Sequence, residues 1–313
     1  MDFFSVPTLL VLGVIFVNGW TDAPNAIVGC VCSKALSMKK SVVLAAVCNF
    51  LGVIISSVLI SSVAKNVYGI ADISSNSAIC AALLSVIVLA VGAWFFGIPT
   101  SESHAIIASL VGAAAASGAK ISYPLIAVAL FGLVISVGAG FALGFYLYSF
   151  LKKRVMSEKK TRIYQIVGAG VMAFMHGAQD GQKFIAVLML ASGSSEIGLT
   201  TAAAICSVVM ALGTSVGGGR IIKNVGENMV SLNRVQGICA DIAGGISLAI
   251  STVIGLPVST THVKTASVMG CGYVDASLQK KTASEMLAAW IITFPACFCM
   301  GYLFTKLFIY CGF

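Results

Sequence analysis

The stretch at residues 18–26, Asn18-Gly-Trp-Thr-Asp22-Ala-Pro-Asn25-Ala, decides the fold of this chain. It interrupts a long apolar run with glycine, a carboxylate and an amide. A second such interruption covers residues 174–183, Phe174-Met-His176-Gly-Ala-Gln-Asp180-Gly-Gln-Lys183, and its Asp180 lies 158 positions after Asp22. Each is followed by a Pro-x-Ser-x-x-His break at the same spacing, at residues 99–104 and 257–262. Self-similarity at a fixed offset indicates a duplicated architecture.

The composition predicts a membrane protein. The 313 residues are 58% hydrophobic and only 10% charged, whereas a soluble domain is about 25% charged. Most segments must therefore face lipid or one another. The net charge of +8 does not indicate a nucleic-acid partner, because most lysines and arginines cluster in short gaps between apolar runs, as they do in cytoplasmic loops.

The apolar runs predict five membrane segments in each half, since a spanning helix needs about 20 residues. In the first half they cover residues 5–33, 41–63, 78–97, 104–118 and 124–150, and in the second half residues 163–192, 198–217, 236–255, 262–273 and 283–308. We expect the first segment of each half to be broken at its aspartate. The fourth is too short to span, so the third and fourth are expected to form a re-entrant hairpin with the Pro-x-Ser-x-x-His break at its tip.

The basic residues predict the orientation. They occupy four gaps, which hold Lys34, Lys39 and Lys40; Lys152, Lys153, Arg154, Lys159, Lys160 and Arg162; Arg220, Lys223 and Arg234; and Lys280 and Lys281. In the alternating gaps 64–77, 118–123 and 193–197, the basic residues are only Lys65 and Lys120. The positive-inside rule then places the basic gaps in the cytoplasm and both termini outside the cell membrane.

These patterns together predict an all-α, multi-pass fold made of two inverted repeats, because each half crosses the membrane an odd number of times. The first repeat is residues 1–150, the second is residues 163–313, and a basic linker, 151–162, joins them. In such folds, the helices break near the midplane of the membrane, and the binding site lies there.

Asp22 and Asp180 are the strongest candidates for function. A carboxylate at the bilayer centre costs about 2.5–3.5 kcal/mol, and such residues usually serve a function. Asn25 adds an amide three residues after Asp22, on the same helix face. Lys183 takes the matching place after Asp180 and can neutralise it. If a cation binds beside Asp22 and Asn25 in the first half, we hypothesise that Lys183 occupies the equivalent space in the second half.

The two Pro-x-Ser-x-x-His breaks read as helix starts, because proline suits the first turn and serine or threonine suits the cap. A helix that starts inside a membrane presents unpaired N–H groups, which favour an anion. Two facing starts can hold one tetrahedral oxyanion, and simple capping is the alternative. The candidate anion ligands are Thr100, Ser101, Ser103, Ser259, Thr260 and Thr261, with His104 and His262 as proton or anion ligands.

Three further patterns give weaker predictions. His176 and Asp180 are four residues apart and can share a helix face, but two ligands do not make a metal site. Asp241 and Lys264 are expected to be counter-ions of each other, and the offset puts them opposite Leu83 and Ile106. The GxxxG runs at 140–144 and 213–217 predict close helix packing.

At these motifs the sequence resembles the PiT family of inorganic phosphate transporters, whose members carry a twice-repeated G-x-N-D-x-x-N-A type signature and paired P-x-S-x-x-H segments. The resemblance covers nearly the whole chain, and the Asp180-Gly-Gln-Lys183 form is similar to that of some bacterial members. Thr21 and Gln179 stand where the family has asparagine. Glu102 replaces a small hydroxyl residue, and its counterpart in the second break is Thr260.

The resemblance implies phosphate symport driven by Na⁺ or H⁺, in some relatives as a metal–phosphate complex, with no cofactor besides the transported cation. Carried over by position, Asp22, Asn25 and Asp180 serve the cation. The serine and threonine groups of the breaks, with Asn25 and Lys183, serve phosphate. Glu102 is added to the cation-coupling set, because a carboxylate beside an anion site needs a proton or a cation.

Charge counting independently favours symport, since phosphate carries about −1.5 to −2 at neutral pH and Asp22 and Asp180 add two negative charges against one on Lys183. The alternatives are a sulfate or other oxyanion carrier, a cation channel, and an intramembrane hydrolase that uses His176 and Asp180. No GxGD or HExxH pattern supports the hydrolase. The sequence fixes neither the coupling ion nor the oligomeric state, for which a homodimer is one option.

Overall fold

The computed structural model describes residues 5–59, 62–154, 157–192 and 198–313. Its α-helices are α1 Val6–Thr21, α2 Val28–Cys32, α3 Met38–Leu59, α4 Ser62–Tyr68, α5 Asn76–Phe95, α6 Glu102–Ser117, α7 Tyr123–Leu151, α8 Glu158–Ser192, α9 Leu199–Val216, α10 Gly219–Lys223, α11 Arg234–Val253, α12 Thr260–Val274 and α13 Lys280–Tyr310. Over these residues, seven helical segments are long and apolar enough to cross a membrane. The expected all-α, multi-pass fold is confirmed. The predicted gap 193–197 and the end of predicted segment 41–63, residues 60 and 61, lie outside the described residues.

The two aspartate motifs differ in backbone. The break at Asp22 is confirmed, because α1 ends at Thr21 and a 3₁₀ turn, Ala23–Ile27, precedes α2. The break expected at Asp180 is wrong, since α8 continues through the motif. Pro24 explains the difference, because proline lacks an N–H and clashes with the preceding turn. Its counterpart, Gln182, has neither restriction.

The re-entrant hairpins are confirmed by their ends. Ala71, before α5, forms an antiparallel bridge with Ile121, after α6. Val230, before α11, pairs in the same way with Leu278, after α12. Each hairpin therefore returns to the place where it entered, and its tip lies in the interior.

The helix starts at the hairpin tips are confirmed too. The Ser101 hydroxyl accepts from the His104 backbone N–H at 3.1 Å, and the Ser259 hydroxyl accepts from that of His262 at 3.2 Å. The glycines at the tips, Gly97 and Gly255, have φ of 70° and 78°, which other residues rarely adopt. Helix α6 has 16 residues, or about 24 Å, and is buried along almost its whole length.

The two halves interleave instead of folding side by side. The most extensive helix contacts pair α3 with α8, α6 with α13, α7 with α12, and α1 with α9, and each pair joins the two halves. The predicted close packing is confirmed at Gly144 and Gly213, where a Cβ atom would clash with backbone of Ser267 and Phe16. The repeat boundaries and the inversion remain predictions from the sequence.

The predicted basic gaps meet at one end of the bundle, which we call the basic end. Arg162 donates to the Ala35 carbonyl at 2.9 Å, and Arg234 donates to the Ser33 carbonyl at 3.1 Å. Lys152 lies 3.4 Å from Asp275, after α12. These contacts agree with loops that share one side of the membrane, although which side faces the cytoplasm remains a prediction.

Helix α8 connects two separate apolar clusters. Its early residues, Ala169–Ala173, pack in the cluster toward the basic end, and its late residues, Phe184–Ala191, pack in the other. Between them lies the motif His176–Lys183, which is buried although it holds a carboxylate and an ammonium group. The fold thus places a polar layer between two apolar cores.

Candidate functional site

Lys183 is the best-defined centre of the polar layer. Its Nζ atom lies 2.6 Å from Asp180 Oδ1, 2.5 Å from Ser103 Oγ and 2.5 Å from the Val258 carbonyl. The three oxygen atoms come from α8, from α6 and from the second hairpin tip. Lys183 is 2% exposed, so it does not extend to water but holds both hairpins to α8.

The first half has counterparts of these groups in the sequence, without the ammonium group. The counterparts of the three oxygens are the Asp22 carboxylate, the Thr261 hydroxyl and the Thr100 carbonyl, and Asn25 stands in place of Lys183. Asn25 Nδ2 lies 3.1 Å from the Asp22 carbonyl and 3.3 Å from Thr261 Oγ1. Its buried Oδ1 has no hydrogen-bond partner among the described residues. This half therefore offers oxygen ligands and no cation of its own.

Asn18 links the two aspartates and was missed by the sequence analysis. Its Nδ2 atom lies 3.4 Å from Oδ2 of both Asp22 and Asp180. Two signals point to it: it precedes Asp22 by four residues, so the two share a helix face, and it is the counterpart of His176.

His176 belongs to the site, and its hydrogen bonds fix its tautomer. The Thr214 hydroxyl donates to the Met210 carbonyl, so it accepts from Asn49 Nδ2 at 3.2 Å. Asn49 Oδ1 therefore faces His176 Nδ1, at 3.0 Å, and accepts its proton. The lone pair on Nε2 is left 3.3 Å from Asp180 Oδ2. Two acceptor atoms at this distance need a proton or a cation between them.

Glu102 adds a third buried carboxyl group. The Thr21 hydroxyl lies 2.7 Å from Glu102 Oε1 and 2.9 Å from the Val17 carbonyl, but it has only one hydrogen. Both bonds form together when Glu102 is protonated and donates to Thr21, which donates to Val17. Glu102 Oε2 is buried with no partner in the described ranges.

The remaining predicted residues divide between the site and its support. Thr260 donates to Asp180 Oδ2 at 2.9 Å. Ser101 and Ser259 cap their helices, so their predicted role as phosphate ligands stays a prediction. The His104 and His262 rings lie against each other at a tilt of 57°, with centroids 4.6 Å apart, and the His262 ring stacks on Trp290. All the predicted site residues are buried.

Gln179 supports the second hairpin tip. It donates to the Leu256 carbonyl at 2.7 Å and accepts from Thr252 at 2.6 Å. An asparagine, as in the family pattern, has a shorter side chain. Gln179 therefore serves the hairpin and not the aspartates.

Each hairpin tip is also held by an asparagine. Asn66, on α4, donates to the Gly255 carbonyl at 2.8 Å, and Asn224 donates to the Gly97 carbonyl at 2.9 Å. The two asparagines are counterparts, and so are the two glycines. Arg220 reinforces the second contact, because it bonds the Phe95 carbonyl at 3.0 Å and lies over the ring of Trp94. Only the repeat offset relates the two asparagines in the sequence, because neither is charged or lies within a Pro-x-Ser-x-x-His break.

Buried ionisable groups enclosed in a bundle of membrane helices are typical of membrane transporters. The particular family follows from the sequence. The model of the phosphate transporter family matches residues 18–163 and again 156–301. The chain belongs to this family, which confirms the resemblance, and the double match agrees with the duplication.

Similarity to individual proteins agrees with this family assignment. The chain is 35% identical to a probable low-affinity inorganic phosphate transporter of Bacillus subtilis, over 96% of this chain and 97% of the relative. It is 34% identical to a protein of the same description from Rhizobium meliloti, over 90% and 89%. A solved structure titled as the sodium-dependent phosphate transporter has a TM-score of 0.84 at 15% identity, covering 96% of this chain and 98% of that one. This last likeness supports the fold alone.

Proposed function

We propose that this protein carries inorganic phosphate across the cell membrane by symport with a cation, H⁺ or Na⁺. One observation carries the proposal: Asp22, Glu102 and Asp180 lie in one buried layer with a single lysine, Lys183. Adding a phosphate anion to such a layer is very costly at low dielectric unless positive charge enters with it. The need for compensation couples the two fluxes.

The cation is expected in the first half of the site. The oxygens around Lys183 Nζ have counterparts in Asp22, Thr261 and Thr100, and Asn25 brings a free amide oxygen instead of a charge. Lys183 then acts as a permanent cation for the second half. Phosphate is expected between the two hairpin tips, where the helix starts and the hydroxyls of Ser103 and Thr260 favour an anion.

The test is uptake of radiolabelled phosphate into proteoliposomes, with Na⁺ and H⁺ gradients imposed separately. We expect one of the two gradients to drive accumulation, and Asp22→Asn to abolish it. Uptake that no cation gradient stimulates would overturn the symport proposal. Strong competition by an equal concentration of sulfate would favour the broader oxyanion carrier instead.

A second candidate is transport of phosphate together with a divalent metal. Ligand atoms of Asp22, His176 and Asp180 lie within 4.8 Å of one another, and the free lone pair on His176 Nε2 faces Asp180. Carboxylate and imidazole ligands suit a divalent cation. The test is uptake with and without Mg²⁺ or Zn²⁺, in wild type and His176→Asn, which installs the residue of the first half. Metal-independent uptake in both proteins would exclude this mode.

A further inference from the structure

Asp241 and Lys264 form a second buried charged site, outside the layer described above. The ammonium group contacts Asp241 Oδ1, and both side chains are fully buried. Gln165, on α8, donates to Asp241 Oδ2. The counter-ion prediction is confirmed, and the pair joins three helices, α8, α11 and α12.

The fold does not need these charges to pack. Their counterparts in the first hairpin are Leu83 and Ile106, which are buried to nearly the same extent. Replacing a buried ion pair by apolar residues is often neutral or stabilising. Ionisable groups retained inside a membrane bundle usually mark an ion pathway.

The pair lies between the central site and the basic end. Lys264 follows Thr260 by four residues on α12, and the Thr260 hydroxyl bonds Asp180. Asp241 follows Arg234 by seven residues on α11, or about 10 Å. The route from Lys183 to the basic end thus passes Lys264 and then reaches Arg234 and Arg162, which gives a series of cations.

The surroundings keep unused hydrogen-bonding capacity. Gln165 Oε1 is buried without a partner in the part of the chain that the structure describes. Gly29 and Gly237 make room here, because a Cβ atom on either would press against the Gln165 amide. This free oxygen is unusual, since most buried polar groups are paired.

We propose that Asp241 and Lys264 form a release station, at which phosphate pairs with Lys264 and the co-transported cation pairs with Asp241 on the way between the central site and the basic end. When empty, the two side chains neutralise each other. When they separate, each transported ion meets an opposite charge, and the pair adds no net charge of its own to the ions that it accepts. The inference rests on the proposed symport and assigns it an asymmetric path.

The test compares the two faces of the membrane. The variant Asp241→Leu with Lys264→Ile installs the residues of the first half. Half-saturation for phosphate is measured in right-side-out and in inside-out vesicles. We expect the value at the basic face to rise about tenfold, the scale of losing a charged hydrogen bond, and the value at the other face to stay within about twofold. Lys280→Gln, at an exposed site, is the control and should change neither.

The outcomes separate the two proposals. Absence of cation-driven phosphate uptake in wild type overturns the proposed function. A working wild type whose double variant matches it at both faces, or changes equally at both, overturns the release station alone. If the double variant does not fold, Asp241→Asn with Lys264→Gln removes both charges while keeping polar packing, and the same comparison applies.

Discussion

The two helical hairpins, α5–α6 and α11–α12, share a backbone and differ in chemistry. Both return to their side of entry, both have a glycine with positive φ at the tip, and both start their second helix with a serine cap. The first carries Glu102 where the second carries Thr260, and Leu83 and Ile106 where the second carries Asp241 and Lys264. Duplication has preserved the framework, while the charges have diverged.

The aspartate motifs that face these hairpins differ in the same way. In the second half, Lys183 supplies a fixed cation at 2.6 Å from Asp180. In the first half, Asn25 supplies only an amide beside Asp22. Lys183 thus already neutralises Asp180 in one half, and in the proposed symport the other half takes its cation from solution.

The largest expected effect comes from removing the charge of either aspartate. We expect Asp22→Asn and Asp180→Asn each to reduce phosphate uptake by about 100-fold or more, because a buried charged hydrogen bond contributes up to about 3 kcal/mol. Asp180→Asn also leaves Lys183 without its carboxylate. Asp72→Asn, at an exposed loop position, is the control. Uptake within about threefold of wild type would show, for Asp22, that it does not hold the transported cation and, for Asp180, that its pairing with Lys183 is not needed for transport.

The next largest effect tests the difference between the halves. Lys183→Asn makes the second half resemble the first, so we expect about tenfold slower uptake, the scale of one charged contact, with a steeper dependence on the coupling cation. The measurement is the Hill slope of uptake against cation concentration. The slope should rise because a free ion must replace the ammonium group. An unchanged slope and affinity would refute the role of Lys183 as a built-in cation.

Much of the fold follows from sequence because the bilayer restricts the choices. Apolar runs of spanning length and the serine caps predicted most helices to within a few residues, since backbone groups in lipid must be paired internally. The continuous helix α8 could be anticipated only from the missing proline at Gln182. The packing of each half against the other could not, because contacts between distant segments leave no periodic signal.

The site was predictable where charges lie inside apolar runs, as at Asp22, Asp180 and Lys183. Neutral polar residues carry no such charge signal, so the roles of Asn18 and Asn66 became clear from their contacts, although the repeat offset already pairs them with His176 and Asn224. The sequence supports only a weak prediction for His176, because the tautomer of its ring depends on Asn49, which lies on another helix. Charged residues inside apolar runs can therefore be identified from the sequence more readily than the neutral polar residues that orient them.

A smaller effect is expected at Glu102, where the hairpin tips differ most in charge. Glu102→Gln keeps a donor for Thr21, so we expect uptake within about threefold of wild type, the scale of less than one neutral hydrogen bond. Glu102→Thr, the residue of the second hairpin, removes the group that reaches Thr21 and should lose more. Initial uptake rates of both variants provide the measurement. Loss of uptake in Glu102→Gln would mean that an ionised carboxylate is required.

The smallest effects should come from Asn66 and Asn224, where the hairpins are most alike. The predicted inversion of the halves makes the two tips point in opposite directions, and Asn224 begins the helical turn 224–229 that follows the basic residues Arg220 and Lys223. Each alanine variant loses the hydrogen bond that holds its hairpin tip. That loss is about 1 kcal/mol, or about fivefold in the equilibrium between the closed and the open tip. We expect Asn224→Ala to favour opening toward the basic end and Asn66→Ala to favour the other side, so the ratio of half-saturation at the two faces should shift in opposite directions. A shift in the same direction for both would mean that the contacts only stabilise the fold, because loss of general stability has no preferred side.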